Sequence, residues 1–249
     1  MESFIPHAQQ CGLTVSPQRF ISSMTAINTG YQLGVAPYPH PALKNAVWLW
    51  GCHFCGDRSM EKHKSTFLRR AQDGLDDLLQ RSEGLLEAIQ ASCLVATYLF
   101  AHNRMVEGVY YANAAALLAS SAGLHRHLPP GSIPRPILGP ESLPLALQPP
   151  MDGIQWAERL LAFWNVYVLE RSWSAATAFP SQRWEDRELR DCITSPWPYD
   201  IECYNVGLIL DLAIILINET FFSWDSCLPN PNSSLTIKIL ELSQLSTIS

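Results

Sequence analysis

A C-x-x-C pair is the first feature of the sequence that could do chemistry. Cys52 and Cys55 enclose His53, and His63 follows nearby, a combination of thiols and imidazoles found in zinc sites and in redox pairs. No second cysteine pair follows at a usable spacing, and the next cysteine is Cys93. Residues three apart lie near one face of a helix, so we interpret Cys52 and Cys55 as a buried structural pair.

An acidic cluster is the second candidate. Asp73, Asp76 and Asp77 superficially resemble the aspartates with which all-helical prenyl-diphosphate enzymes hold magnesium. The order of the residues is reversed relative to the motif of those enzymes, and Gly74 interrupts the aspartates. No second metal-binding motif follows in the sequence. We therefore interpret the aspartates as a solvated helix face, which leaves little support for a helical enzyme acting on an isoprenoid-like substrate.

Two histidines separated by one arginine form the third candidate. His125, Arg126 and His127 follow a run of small and apolar residues that stops at Gly123. Gly123 is placed to end a helix in the left-handed conformation, and Leu124 can fold back as the accompanying apolar contact. The next three side chains then lie beside the negative end of the helix dipole. Since a metal site needs three or four converging ligands, the sequence predicts a helix terminus here.

Catalytic signatures are missing from the sequence. It contains no nucleophile elbow, no phosphate-binding loop and no dinucleotide-binding fingerprint. Trp48, Trp50, Trp156 and Trp164 recur at helical spacings and fit a protein core better than a cofactor site. The sequence therefore identifies no catalytic residue, no metal ligand and no DNA-binding residue, and it leaves the ligand-binding residues unknown. It predicts a protein that is not an enzyme and that holds no cofactor.

The amino-acid composition argues against nucleic acid and membranes as direct partners. The 249 residues are 47% hydrophobic and 16% charged, against about 25% charged in an average soluble domain. A net charge of −6 argues against direct nucleic-acid binding, which needs a basic surface. The odd number of cysteines, seven, fits a reduced intracellular protein. The most apolar stretch, 206–217, is interrupted by Asp211 and is shorter than the roughly 20 residues that span a bilayer, so we expect no membrane association.

The elements that must position these residues all follow a helical period. Within 82–104, Leu86, Ile89, Cys93 and their successors step by three and four residues, and 105–123 repeats the rhythm with many alanines. Two such helices with a short polar joint predict an antiparallel hairpin. Further helices are predicted at 41–54, 60–81, 154–173, 206–217 and 233–249. The predicted fold is all-α, a multi-helix bundle of antiparallel helical hairpins.

The predicted organisation has two parts. Residues 1–39 mix glycine, proline and polar residues, and we expect an irregular lead-in there. Residues 40–249 form one helical domain, interrupted by the connector 128–153, which holds eight of the eighteen prolines and should be largely extended. Asp152 with Gln155 three residues later predicts the point at which the next helix begins.

Taken in order, these segments resemble the regulatory domain of fungal zinc-cluster transcription factors, also called the middle homology region. The resemblance covers roughly residues 40–215 and depends on order and spacing, because no single motif is diagnostic. Ala178 and Phe179 depart from it, since they stand where relatives often have glycine before Pro-Ser. The segments that carry the resemblance are HPALKNAVWLWGCHF (40–54), Ile89-Gln90-Ala91-Ser92 through Gly123-Leu124-His125-Arg126, Glu158-Arg159 leading to Phe163-Trp164, Glu170-Arg171, Pro180-Ser181 and ITSPWPYD (193–200).

The resemblance implies a nuclear regulator of DNA-templated transcription that restrains or licenses an attached DNA-binding module in response to a metabolite. Its partners would be the transcriptional machinery or co-regulators, with homodimers or heterodimers of related factors. DNA and zinc would be bound only by the family's N-terminal six-cysteine cluster, which Cys11, Cys52 and Cys55 cannot supply. Because relatives continue with further helices, we expect the domain to be C-terminally truncated.

The alternative is a stand-alone helical adaptor or a dimerising modulator that acts through protein contacts. A helical scaffold of the tetratricopeptide type should repeat with a period near 34 residues, and the sequence has no such repeat.

Overall fold

Six α-helices account for most of the chain that the structure describes. The structure is a computed structural model that describes residues 3–25, 39–81, 84–126, 147, 150–178, 193–198, 201 and 204. No strand occurs in these ranges, so the predicted all-α class is confirmed. The helices are α1 (Pro17–Thr25), α2 (Pro41–Phe54), α3 (Arg58–Arg81), α4 (Leu85–Ala101), α5 (Met105–Ser121) and α6 (Gly153–Thr177), with short 3₁₀ turns at Ile5–His7 and Leu124–Arg126.

Helix α4 is the centre of the bundle. It packs against α2, α3, α5 and α6, and every residue from Ala88 to Ala96 is buried. The sequence pattern assigns one apolar stripe to this helix, but the structure also buries the polar side chains of Gln90 and Ser92. A helix with neighbours on every side has no solvated face, so its polar groups must find partners inside the protein.

Helices α2 and α3 form one layer beside α4. The Trp50 indole N–H donates a 3.0 Å hydrogen bond to the carbonyl of Leu94, which fixes α2 against α4. Gly74 on α3 lies at the point of closest approach to α2, where a Cβ would come within 2.8 Å of the backbone nitrogen of Ala42. Gly74 therefore serves the packing of two helices rather than a metal-binding motif.

Helices α5 and α6 form the other layer. Ala115, Ala116 and Ala119 of α5 pack with Phe163 and Val166 of α6 in one buried cluster. Small side chains let the large ring of Phe163 approach the α5 backbone closely, as the alanine-rich sequence of α5 indicates. Helices α4 and α5 pack together across a three-residue joint, while the antiparallel arrangement of hairpins stays a prediction.

The N-terminal segment differs from the sequence expectation of an irregular lead-in over 1–39. Residues 17–25 form α1, with Pro17 at its first position, where the fixed φ of proline suits a helix. Phe4 and Phe20 lie fully inside the core. These two aromatic residues are sixteen positions apart and follow neither a helical nor a strand period. The sequence pattern therefore does not indicate that this segment packs into the core. We call residues 3–25 the N-terminal arm.

Several predictions fall outside the described residues. They concern most of the proline-rich connector 128–153 and the apolar segments 206–217 and 233–249. At the end of the connector, the Asp152 side chain accepts a 2.7 Å hydrogen bond from the backbone of Gln155, which confirms the predicted start of α6. No helix in the described part of the chain is long and apolar enough to cross a membrane.

Candidate functional site

The C-x-x-C pair is divided by the end of α2. Cys52 is buried and Cys55 is exposed, because Cys55 is the residue that caps the helix. Burial raises the pKa of the Cys52 thiol, which disfavours the thiolate that a metal or a redox reaction needs. Only one member of the pair is therefore buried, contrary to the sequence interpretation. No cluster of three or more histidine, cysteine, aspartate or glutamate side chains among the described residues is arranged to hold a metal ion.

His53 lies in an aromatic cluster instead of a metal site. Its ring meets those of Trp50, Phe54, Tyr98 and His102 edge-on, at centroid distances between 5.2 and 5.9 Å. Burial is the main cause that lowers the pKa of His53, and the nearby positive groups act in the same direction. The environment therefore favours the neutral imidazole.

The acidic cluster is largely exposed. Asp73 and Asp76 are on the solvent side of α3. Asp77 accepts a 2.9 Å hydrogen bond from Arg81 and lies 3.5 Å from a ring nitrogen of His40. The described contacts of Asp77 thus tie α3 to the start of α2, in agreement with the interpretation as a solvated face.

The end of α5 has the backbone conformation that the sequence predicts, but the histidine that follows it is buried. Gly123 has a φ of +71° and Leu124 is buried, as the helix-termination pattern predicts. His125 is also buried rather than exposed, and its carbonyl accepts hydrogen bonds from the backbone of Thr194 (2.9 Å) and Ser195 (3.1 Å). His125 therefore anchors a distant segment of the chain. His127 is outside the described residues.

Polar side chains of α4 and α6 bind the N-terminal arm. Gln90 of α4 donates a 2.9 Å hydrogen bond to the hydroxyl of Thr14, and both groups are buried. Glu158 of α6 accepts a 2.9 Å hydrogen bond from the backbone N–H of Ser16. These contacts involve alternate residues of the arm just before α1 begins, so the arm lies in a groove with polar walls.

Two further contacts extend this row. Asn165, two turns beyond Glu158 on α6, donates a 3.3 Å hydrogen bond to the carbonyl of Gly12. Arg19 of α1 makes a 2.7 Å ion pair with Asp152, the residue that caps α6. Gly12 has a φ of +91°, and a Cβ there would meet the Asn165 amide at 2.8 Å, so the position requires glycine. The whole set (Gly12, Thr14, Ser16 and Arg19 with Gln90, Asp152, Glu158 and Asn165) is called the arm groove below.

Burial sets the energetics of the arm groove. Glu158 is 8% exposed and Gln90 is 2% exposed. Desolvation raises the pKa of Glu158, while the hydrogen bond from Ser16 and the charge of Arg19 act against that rise. A buried polar group that loses its partner costs about 1–3 kcal/mol, so the groove and the arm depend on each other. Gln90 and Glu158 look like ordinary polar residues in the sequence, and only their positions between apolar neighbours hint at burial.

A second polar feature lies between α4, α5 and α6. Phe100 and Trp173 stack with their ring centroids 3.9 Å apart, and the buried Glu170 and the exposed Asn113 line the same small cleft. The cleft has room for about one water molecule. It does not fit an organic ligand in this conformation.

Comparison with known proteins identifies a family over most of the chain. The family described as the fungal specific transcription factor domain matches residues 13–209. The match begins inside the N-terminal arm and includes Thr14, Ser16 and the six described helices, so residues 13–25 of the arm are part of the family's domain. No curated protein and no solved structure matches the chain.

Proposed function

The chain belongs to the fungal specific transcription factor domain family, and on that basis we propose that it is the regulatory domain of a fungal zinc-cluster transcription factor. The family supports a role in the regulation of transcription. We assign DNA and zinc binding to a separate N-terminal zinc-cluster module, because the net charge of −6 on this chain is unsuited to direct nucleic-acid binding. We place its action in the nucleus, with the transcriptional machinery or co-regulators as partners.

The arm groove supports a regulatory mechanism. A regulatory domain needs an element with two arrangements whose balance a ligand or a partner can shift. The N-terminal arm suits this role because buried polar contacts hold it to α4 and α6, and such contacts are either satisfied or broken. We propose that a metabolite or a co-regulator changes the balance between the bound and the released arm, and so restrains or licenses the attached module.

A reporter assay tests this function. The full chain is fused between a heterologous zinc-cluster DNA-binding module and an activation segment in a fungal host. We expect the chain to change reporter output, and we expect Glu158→Ala to alter that change by releasing the arm. Arg81→Ala, at an exposed ion pair on α3, is the matched control. Output equal to that of the module and activation segment without the chain would contradict the proposal.

The dimerising modulator is the second candidate, and one observation favours it. Val106, Tyr110 and Leu117 are all more than half exposed and share one face of α5. An exposed apolar stripe is a typical contact surface for another protein. Co-purification of a full-length relative with this chain, lost on Tyr110→Glu, is the expected result. Failure of the two proteins to associate would exclude this candidate.

A further inference from the structure

The first half of α3 is positively charged, although the chain as a whole is acidic. Residues 58–70 contain five lysines and arginines against a single acidic residue, whereas the net charge of the chain is −6. Lys64 is paired with Glu61. The other four cations are exposed and form no ion pair within the described part of the chain; they are Arg58, Lys62, Arg69 and Arg70. Their charge is therefore available to a partner.

These exposed cations do not serve the stability of α3 itself. Arg58 and Lys62 are four residues apart, and two like charges at that spacing destabilise a helix. Arg69 and Asp73 are also four residues apart, yet the structure shows no ion pair between them. Local rules of helix stability are broken mainly where function requires it. An acidic partner explains this arrangement better than the helix alone does.

Partly exposed aromatic side chains adjoin the basic half of α3. The Trp48 ring of α2 meets the Phe67 ring of α3 edge-on, at a centroid distance of 5.5 Å, and neither side chain is buried. The His63 ring lies one turn before Phe67, with the two centroids 6.4 Å apart. On α2, the ammonium of Lys44 lies 4.5 Å from the centre of the Trp48 ring. A row of rings and cations thus crosses from α2 to α3.

The charged and the aromatic groups form one surface. Arg70 follows Phe67 by three residues, which places the two next to each other on the helix surface. The spacings of four and seven residues place Arg58, Lys62 and Arg69 together on the solvent side of α3. The surface made by Trp48, Arg58, Lys62, Phe67, Arg69 and Arg70 is called the α3 face below.

The dimensions and the charge of the α3 face indicate its partner. Residues 58–70 span about 18 Å at the helical rise, a length that an extended peptide covers with about six residues. Carboxylates suit the exposed guanidinium groups, and an aromatic ring suits the partly exposed Trp48 and Phe67. A nucleic acid fits less well, because the chain is acidic overall and the exposed Asp73 and Asp76 follow Arg69 on the same helix.

We propose that the α3 face binds a short acidic segment of another protein, in which aspartate or glutamate residues accompany an aromatic residue. The carboxylates of the segment pair with the exposed cations, and its ring packs on Trp48 and Phe67. This inference goes beyond the proposed regulatory function, because no residue of the arm groove takes part in the α3 face.

Fluorescence anisotropy with a labelled synthetic peptide tests the α3 face on the purified full chain. The probe is an eight-residue peptide in which aspartate and phenylalanine alternate. We expect saturable binding at low salt that weakens by about tenfold at about 0.5 M salt, because salt screens exposed charges. A peptide with serine in place of phenylalanine should bind about fivefold more weakly, since it lacks the rings that pack on the aromatic side chains. A peptide with lysine in place of aspartate should not bind.

Two double variants test where the peptide binds. Lys62→Glu combined with Arg69→Glu should weaken binding by about tenfold or more, because two attractive contacts become repulsive. Arg81→Glu combined with Arg104→Glu is the matched control, since it changes the net charge equally at exposed arginines outside the α3 face. The control should bind within about twofold of the original chain at about 0.1 M salt, where distant exposed charges are screened.

The contrary outcomes are distinct. Absence of peptide binding, unchanged affinity in the Lys62→Glu and Arg69→Glu variant, or an equal loss in the control would overturn the site. Tighter binding of a ten-nucleotide oligothymidylate than of the peptide would assign the face to nucleic acid instead. Equal binding of the serine peptide would overturn the role of Trp48 and Phe67. The assay measures binding without transcription, so its failure and the failure of the reporter assay are separate results.

Discussion

The backbone N–H of Ser16 donates a 2.9 Å hydrogen bond to Oε1 of Glu158, a residue 142 positions later in the sequence. The contact is buried, and it joins the N-terminal arm to α6. Together with the bond from Gln90 to Thr14, it makes the arm an integral part of the bundle.

Two variants of Glu158 distinguish the effect of its charge on stability from the effect of its hydrogen bond. Its pKa is raised mainly by burial, so ionisation of Glu158 is less favourable in the folded protein than in the unfolded chain. When the pKa of a group is higher in the folded protein than in the unfolded chain, the group stabilises the fold at low pH. This contribution is complete below the pKa of the unfolded chain and is lost as the pH rises through the pKa of the folded protein. We expect Glu158→Gln, which keeps the acceptor oxygen, to match or exceed the original stability at pH 7 in urea unfolding. Glu158→Ala should lose about 1–3 kcal/mol. Equal losses in both variants would contradict the role of the hydrogen bond.

Release of the arm can be followed through the cysteines. Cys11 is buried in the arm, and burial raises the pKa of its thiol to about 11, so it should react slowly. Cys55 is exposed and Cys93 lies in the core, which provides a fast and a slow reference. In Glu158→Ala we expect alkylation of Cys11, measured by peptide mass spectrometry, to rise by about fivefold or more. A parallel rise at Cys93 would indicate global unfolding instead of arm release.

Gly74 should be sensitive to a single methyl group. Its Cβ would lie 2.8 and 2.9 Å from the backbone nitrogen and Cα of Ala42, so α2 and α3 would have to move apart. We expect Gly74→Ala to lower the free energy of unfolding by about 1–3 kcal/mol, despite the better helix propensity of alanine. Asp73→Ala, at the exposed neighbouring position, should change it by less than about 0.5 kcal/mol. A neutral Gly74→Ala would show that the helices do not approach as closely as the structure indicates.

His53 should make stability depend on pH below neutrality. Its pKa is lowered by burial, by Lys64 and by His102, while Glu61 opposes them, and Tyr98 also faces the ring. Because the pKa of His53 is lower in the folded protein than in the unfolded chain, the neutral imidazole stabilises the fold above the unfolded pKa near 6.5. This stabilisation is lost as the pH falls through the pKa of the folded protein. We expect the Tm to fall between pH 7.5 and pH 5, and we expect His53→Phe to reduce that fall. His63→Phe, at an exposed position on α3, is the matched control. An unchanged pH dependence in His53→Phe would assign the effect to other groups.

The sequence by itself determined the class of the fold and most of the helices. The spacing of apolar residues, the Asp152–Gln155 cap and the Gly123 terminus are local signals, because they depend on residues within one or two turns of each other. The order of these helices was also enough to indicate the family, which the comparison confirms over residues 13–209. It was not enough to identify any site residue.

The tertiary structure decided what the polar residues do. Glu158 and Arg159 are adjacent charges in the sequence, yet Glu158 binds a backbone group 142 positions away, and Arg159 has no acidic partner among the described residues. Residues 3–25 look irregular because their anchors, Phe4 and Phe20, follow no period. Burial and pairing between distant segments depend on how the helices pack, and the energy of a buried polar group depends on that packing rather than on its neighbours in the chain.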